Sequence, residues 1–209
     1  MSVTFASWQA VWRALDGREA DRALFEKLVA AYSERHRHYH TLQHLRECLV
    51  LLDESRALAA RPHEVELALW FHDAVYDVHA GDNEERSATW AEEAIGPSAA
   101  GRRVHDMVIA TKHTGAPVDD PDTRLLLDID LAILGAPPQR FDESDAQIRS
   151  EYSYVPLAQF GKRRCTILGG FLGRPRLYAT DAFHDRFESQ ARGNLARAIV
   201  RWGREVGLP

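Results

Sequence analysis

Val65-Glu66-Leu67-Ala68-Leu69-Trp70-Phe71-His72-Asp73-Ala74-Val75-Tyr76-Asp77 is the stretch on which the reading of this chain turns. Up to Phe71 it has the apolar density of a buried helix, and then an imidazole and a carboxylate stand side by side. Groups of that kind in an apolar run are costly unless both are satisfied. One metal ion would satisfy the two together. Two other segments offer companions: Tyr39-His40-Thr41-Leu42-Gln43-His44-Leu45 before it, and Leu127-Asp128-Ile129-Asp130-Leu131 after it.

Helical periodicity extends outward from this stretch in both directions. Trp8, Val11, Trp12 and Leu15 mark a first amphipathic helix, and Leu24, Phe25, Leu28, Val29 and Tyr32 a second. Leu42, Leu45, Leu49 and Leu52 give a helix face across residues 41–58. Pro62 suits the first turn of the next helix, which is expected to run on through His72 and Asp73. Asp82-Asn83-Glu84-Glu85 supplies an N-cap and an acidic first turn ahead of residues 87–95. Further helices are expected at about 98–113, 122–134, 142–153, 156–172 and 181–205.

Gly96-Pro97, Gly115-Ala116-Pro117, Gly135-Ala136-Pro137-Pro138 and Gly173-Arg174-Pro175 punctuate them. No sustained alternation supports a sheet. The expectation is one all-α domain over residues 1–209, with a metal-binding core at about 35–135 and C-terminal helices at about 138–205 packed on it.

Composition agrees with a globular chain. The 209 residues are 45% hydrophobic and 27% charged, enough for a real core. The net charge of -5 gives no reason to expect nucleic-acid or membrane partners. Cys48 and Cys165 are far apart and sit in apolar surroundings, as two reduced, buried thiols would. The N-terminus lacks a signal-peptide pattern, and no apolar run reaches the roughly 20 residues of a membrane helix. A cytoplasmic location is expected; the oligomeric state is left open.

Neighbouring helical residues project about 100° apart, so His72 and Asp73 both reach the angle between packed helices. His40 stands at the start of one neighbouring helix, and Asp128 and Asp130 on another. Those two aspartates project about 200° apart, so only one of them faces such an ion. A shell of imidazole and carboxylate suits manganese, iron, cobalt, nickel or zinc, and also admits magnesium; it disfavours an all-oxygen calcium site. An octahedral ion with four protein ligands keeps positions for water and substrate, lowers the pKa of that water and polarises a phosphoryl oxygen. The plainer alternative is a pair of core polar groups bonded to backbone or to each other.

The chain resembles the HD-domain superfamily of metal-dependent phosphohydrolases, and within it the bacterial predicted HD phosphohydrolases of about this length. The stretches that carry the resemblance are Arg37-His38-Tyr39-His40-Thr41-Leu42-Gln43-His44, Trp70-Phe71-His72-Asp73-Ala74-Val75-Tyr76-Asp77, Asp82-Asn83-Glu84-Glu85-Arg86-Ser87-Ala88 and Leu127-Asp128-Ile129-Asp130-Leu131. A weaker match is Glu188-Ser189-Gln190-Ala191-Arg192-Gly193-Asn194-Leu195. The resemblance implies an HD-domain helical bundle, hydrolysis of phosphoester or phosphoanhydride bonds, and His40, His72, Asp73 and Asp130 as metal ligands. Its pattern favours Asp130 over Asp128.

Asp77 follows Asp73 by four residues, so on a continued helix it shares that face and is the first candidate for proton transfer. The resemblance adds weight, because some related nucleotidases use an acidic residue shortly after the pair. Glu84 is the second candidate; its ordinary role is to complement a helix N-terminus. His44 lies one turn after His40 and is a candidate outer-shell partner or substrate contact. His105 and His113 could hold a second ion, although one ion is favoured over two.

Phosphate binding needs cations. Lys112-His113 is the best-placed candidate, with Arg149 and Arg163 next; Arg37, Lys162, Arg164, Arg174, Arg176 and Arg192 complete the set. The expected substrate is a nucleotide or another small phosphorylated metabolite. Two rival readings are a non-hydrolytic sensor of metal or nucleotide and, further off, a di-iron oxygenase.

Overall fold

The computed structural model describes residues 3–114 and 118–207. Met1, at the start of the signal-peptide reading, and the Gly115-Ala116-Pro117 turn lie outside the described residues. Ten α-helices and no strand are found among those residues: α1 (Phe5–Asp16), α2 (Arg22–Ala31), α3 (Leu42–Ser55), α4 (Pro62–Phe71), α5 (Asn83–Ile95), α6 (Ala99–Ala110), α7 (Pro121–Asp130), α8 (Pro138–Glu151), α9 (Leu157–Leu172) and α10 (Asp181–Glu205). The all-α expectation is met. The chain divides into two compact units, one ending at Ile129 and the other beginning at Asp130, the last residue of α7.

The first unit is built around α4. Pro62 occupies its first turn, and all eight residues from Glu64 to Phe71 are buried. A helix buried on every side is a core element, and α4 packs against α1, α3, α5 and α6. Trp70 meets Trp8 of α1 edge-on at 5.1 Å and Phe25 of α2 at 5.9 Å, while Phe71 meets Trp90 of α5 at 5.9 Å. Such aromatic contacts add about 0.5–1.5 kcal/mol each beyond the area they bury. The two acidic residues of α4 are paired: Glu64 receives Arg103 at 2.6 and 2.7 Å, and Glu66 receives Arg56 at 2.5 Å. Burial still pushes the Glu66 carboxyl upward against the pull of Arg56.

α4 stops at Phe71 and does not run through the His-Asp pair as the periodicity predicts; His72 is its C-cap. Side chains take carbonyls that another turn would use. The His72 ring holds the Leu69 carbonyl at 2.8 Å, and the Tyr32 hydroxyl donates to the Trp70 carbonyl at 3.3 Å. Polar groups left over at a buried helix end need such partners.

The second unit has its own buried anchor. Asp145 of α8 has no exposed surface and receives Arg164 of α9 at 2.7 Å, Trp202 Nε1 of α10 at 2.7 Å, and Arg201. The motif near the C-terminus is also structural: Glu188 accepts the Leu177 and Tyr178 amides, and Asn194 donates to the Leu134 and Ala136 carbonyls at 2.8 Å each. Removing one partner of a buried, hydrogen-bonded charge network costs about 3–5 kcal/mol. Asp145→Ala should lower the unfolding free energy by that amount, read as a fall in the urea midpoint by circular dichroism. An unchanged midpoint would refute the anchoring role.

Candidate metal centre

The buried end of α4 faces α3. Thr41 caps α3, its hydroxyl accepting the Gln43 amide at 3.2 Å. From that start, His44 and Cys48 fall four residues apart on one face, with Leu45, Leu49 and Leu52 also buried. His44 Nε2 lies 3.1 Å from His72 Nε2 and 3.5 Å from Asp73 Oδ2, and His72 Nε2 lies 2.9 Å from the same Asp73 oxygen. Three donor atoms therefore converge on one point.

Their protonation follows from their neighbours. The Leu69 carbonyl can only accept, so His72 Nδ1 carries hydrogen and Nε2 is the ring atom turned to the site. Nε2 faces a carboxylate oxygen. Burial alone would raise the Asp73 carboxyl, yet the imidazoles of His72, His40 and His44 hold it well below the usual carboxylate range. A proton on His72 Nε2 makes one of these contacts a hydrogen bond, whereas a metal ion among the three atoms would satisfy all of them.

The distances suit such an ion. Donors about 2.1 Å from a shared metal sit roughly 3.0 Å apart across an octahedral edge and about 3.4 Å apart across a tetrahedral one. The observed separations of 2.9, 3.1 and 3.5 Å lie within about 0.1 Å of that interval. One ligand atom from each of His44, Cys48 and His72 lies within 4.8 Å of the others. Asp130, half-buried, ends α7, and Asp128 is buried on the same helix. The residues present thus fit a divalent metal with nitrogen and oxygen donors. Asp73 keeps 19% of its side-chain surface open while His72 keeps 1% and His44 3%, so Asp73 is the donor turned toward solvent.

His40 stands in the turn before α3, stacked on Tyr76 with ring centroids 4.1 Å apart. Its charge acts on Asp73. Arg37 joins the two segments. It is 5% exposed, and its guanidinium donates to the carbonyls of Asp73 at 2.6 Å, Ala74 at 3.0 Å and His40 at 3.2 Å, with Glu34 beside it at 2.9 Å. Arg37, one of the cations considered above for phosphate, is therefore a clamp on backbone.

The segment after Asp73 is tied to α5. Val75 N–H donates to Ser87 Oγ at 3.0 Å, and Asn83 brackets Asp77, accepting its amide at 3.0 Å and donating to its carbonyl at 2.9 Å. These contacts explain Asn83 and Ser87 in the 82–88 motif. Asp82 takes the N-cap position of α5 without a side-chain capping bond.

Because the helix ends at Phe71, Asp77 does not follow Asp73 on a helix face. It is exposed, and its carboxylate accepts the His79 amide at 2.9 Å. Glu84 is half-buried in the first turn of α5. Lys112 is ion-paired with Glu85 of α5, His113 adopts a left-handed φ of 51°, and His105 pairs with its neighbour Asp106. In the second unit Arg149 donates to the Tyr152 carbonyl and lies over the Phe160 ring at 4.9 Å, and Arg163 is exposed on α9.

Sequence reasoning passed over Cys48 as a donor. The signal was the His44-x-x-x-Cys48 spacing on a helix face, masked by reading cysteines only in pairs. Cys165 is half-buried on α9, where full burial is the expectation; its sulfur lies 3.7 Å from the Ile199 carbonyl. Among the described residues no helix is long and apolar enough to cross a membrane. Compared with protein-family models, curated proteins and solved structures, the chain matches none.

Arg37→Met keeps the apolar stem and removes every donor, leaving three carbonyls short of a partner. Each such loss costs roughly 1–3 kcal/mol, so the variant should lose about 3–5 kcal/mol in chemical denaturation and bind zinc more weakly in calorimetric titration. Unchanged zinc binding would show that the clamp does not shape the centre.

Proposed function

We propose that the protein is a metal-dependent phosphohydrolase of the HD type, acting on a phosphomonoester or phosphoanhydride of a nucleotide or another small phosphorylated metabolite. The observation that carries the reading is the convergence of His44 Nε2, His72 Nε2 and Asp73 Oδ2 within 3.5 Å of one another at the end of α4. His72 and Asp73 would hold a divalent first-row ion, with His40, His44 and Asp130 as the further donors. When bound there, such an ion supplies Lewis-acid polarisation of a phosphoryl oxygen and a lower pKa for water. The phosphoryl part of the reading comes from the four motifs and their resemblance to HD phosphohydrolases.

The chain's own groups have separable tasks. The Leu69 carbonyl holds hydrogen on His72 Nδ1 and orients the ring, so Nε2 is the atom left to bind an ion. The three imidazoles keep Asp73 ionised to well below neutral pH, which removes proton competition at that oxygen. The open edge of Asp73 is where a small anionic substrate would approach. Asp77 and Glu84 are the side chains to which this reading gives proton transfer, and the pH–rate profiles of Asp77→Asn and Glu84→Gln separate them.

Phosphate release should be followed over a panel of nucleotides and small phosphoesters with manganese, cobalt, nickel, magnesium or zinc added. Asp73→Ala should reduce metal-dependent release about a thousandfold, equivalent to roughly 4 kcal/mol of barrier. A folded, metal-loaded chain that binds nucleotide and releases no phosphate would support the sensor reading instead.

A further inference from the structure

We propose that Cys48 is a sulfur donor to the ion held by His72, which makes this centre select a thiophilic metal such as cobalt or zinc over magnesium. The proposal rests on the metal reading above and adds a donor that neither the His-Asp pattern nor the resemblance supplies.

Three observations carry it. Cys48 is 2% exposed and lies one turn beyond His44 on the face of α3 directed at α4. Its sulfur stands 3.7 Å from His44 Nδ1 and 3.8 Å from Nε2, and the latter is the atom that faces His72 Nε2 at 3.1 Å. Its sulfur also belongs to a group of ligand atoms, including those of both histidines, that lie within 4.8 Å of one another. A zinc-type ion at about 2.1 Å from nitrogen and 2.3 Å from sulfur places the two donors roughly 3.6 Å apart in a tetrahedral shell. The nitrogen–sulfur separation of 3.8 Å is within a small side-chain adjustment of that edge.

Apart from His44, the other inward residues of α3 are leucines, so a pure packing role at position 48 would be filled by an apolar group. Thiolate is a soft donor, and hard magnesium gains little from it. Two nitrogens with one sulfur therefore shift preference toward the later first-row ions.

The test uses the full chain and cobalt(II) alone. Wild type dialysed against cobalt should bind it equimolarly and show the intense near-ultraviolet absorption of sulfur-to-cobalt charge transfer. The other cysteine is removed as a source by Cys165→Ser, which should keep the band. Cys48→Ser and Cys48→Ala should lose it, and cobalt affinity should fall by at least the roughly 10–100-fold that loss of an outer-shell partner costs. Weak magnesium binding should stay where it was.

Equimolar cobalt without the band overturns the proposal and leaves the metal reading intact. So does a band that persists in the Cys48 variants. Failure of folded wild type to bind cobalt overturns both. The band in wild type and in Cys165→Ser is read without relying on how the Cys48 variants fold.

Discussion

The guanidinium of Arg37 holds together two segments that the chain brings from far apart. Its donors reach the carbonyls of His40, Asp73 and Ala74, so one buried cation fixes the backbone on either side of the candidate centre. Lysine has no planar fork with which to make those bonds at once. Stacking adds to the clamp, since Arg37 lies 5.4 Å from the ring centroids of both Tyr32 and Tyr76. His40 stacks on that same Tyr76, and His36 reaches the Tyr76 carbonyl at 2.9 Å. Residues 36–40 and 72–76 thus form one polar joint around one arginine.

α4 provides the rigid side of that joint. Its aromatic neighbours and paired carboxylates leave it little freedom, and its last carbonyls are taken by Tyr32 and by His72 itself. The same contact that ends the helix also sets the tautomer of His72. Helix termination and donor preparation are consequently one event. The Tyr32 hydroxyl serves both sides, because it also accepts the Asp73 amide at 3.3 Å. Burial, with the charge of Asp73 beside it, holds that hydroxyl's proton far more tightly than in an ordinary tyrosine.

The helices were legible because their signals are local. Apolar spacing and Pro62 mark elements close to where they lie. The end of α4 was not legible, since one of the groups that stop it, the Tyr32 hydroxyl, is remote in sequence. That single difference removed the helix-face argument for Asp77. His72 and Asp73 stood out as polar residues in an apolar run. His44 stood out through its four-residue spacing from His40, but Cys48 did not, because on α3 it occupies a position that looks like ordinary core spacing. Arg37 was visible only as one basic residue among several; its burial is a tertiary fact.

The joint also has a consequence for how the chain acquires its centre during folding. Arg37 and Asp73 are 36 residues apart, and closing a loop of that length comes before any contact can reward it. Asn83 and Ser87 then have to arrive before the segment after Asp73 is tied down. A nascent chain ending short of α5 would carry His40, His44, Cys48, His72 and Asp73 without the contacts that hold residues 75–77. Competence of the site therefore trails synthesis of its ligands, and α5 is the element that ends the wait.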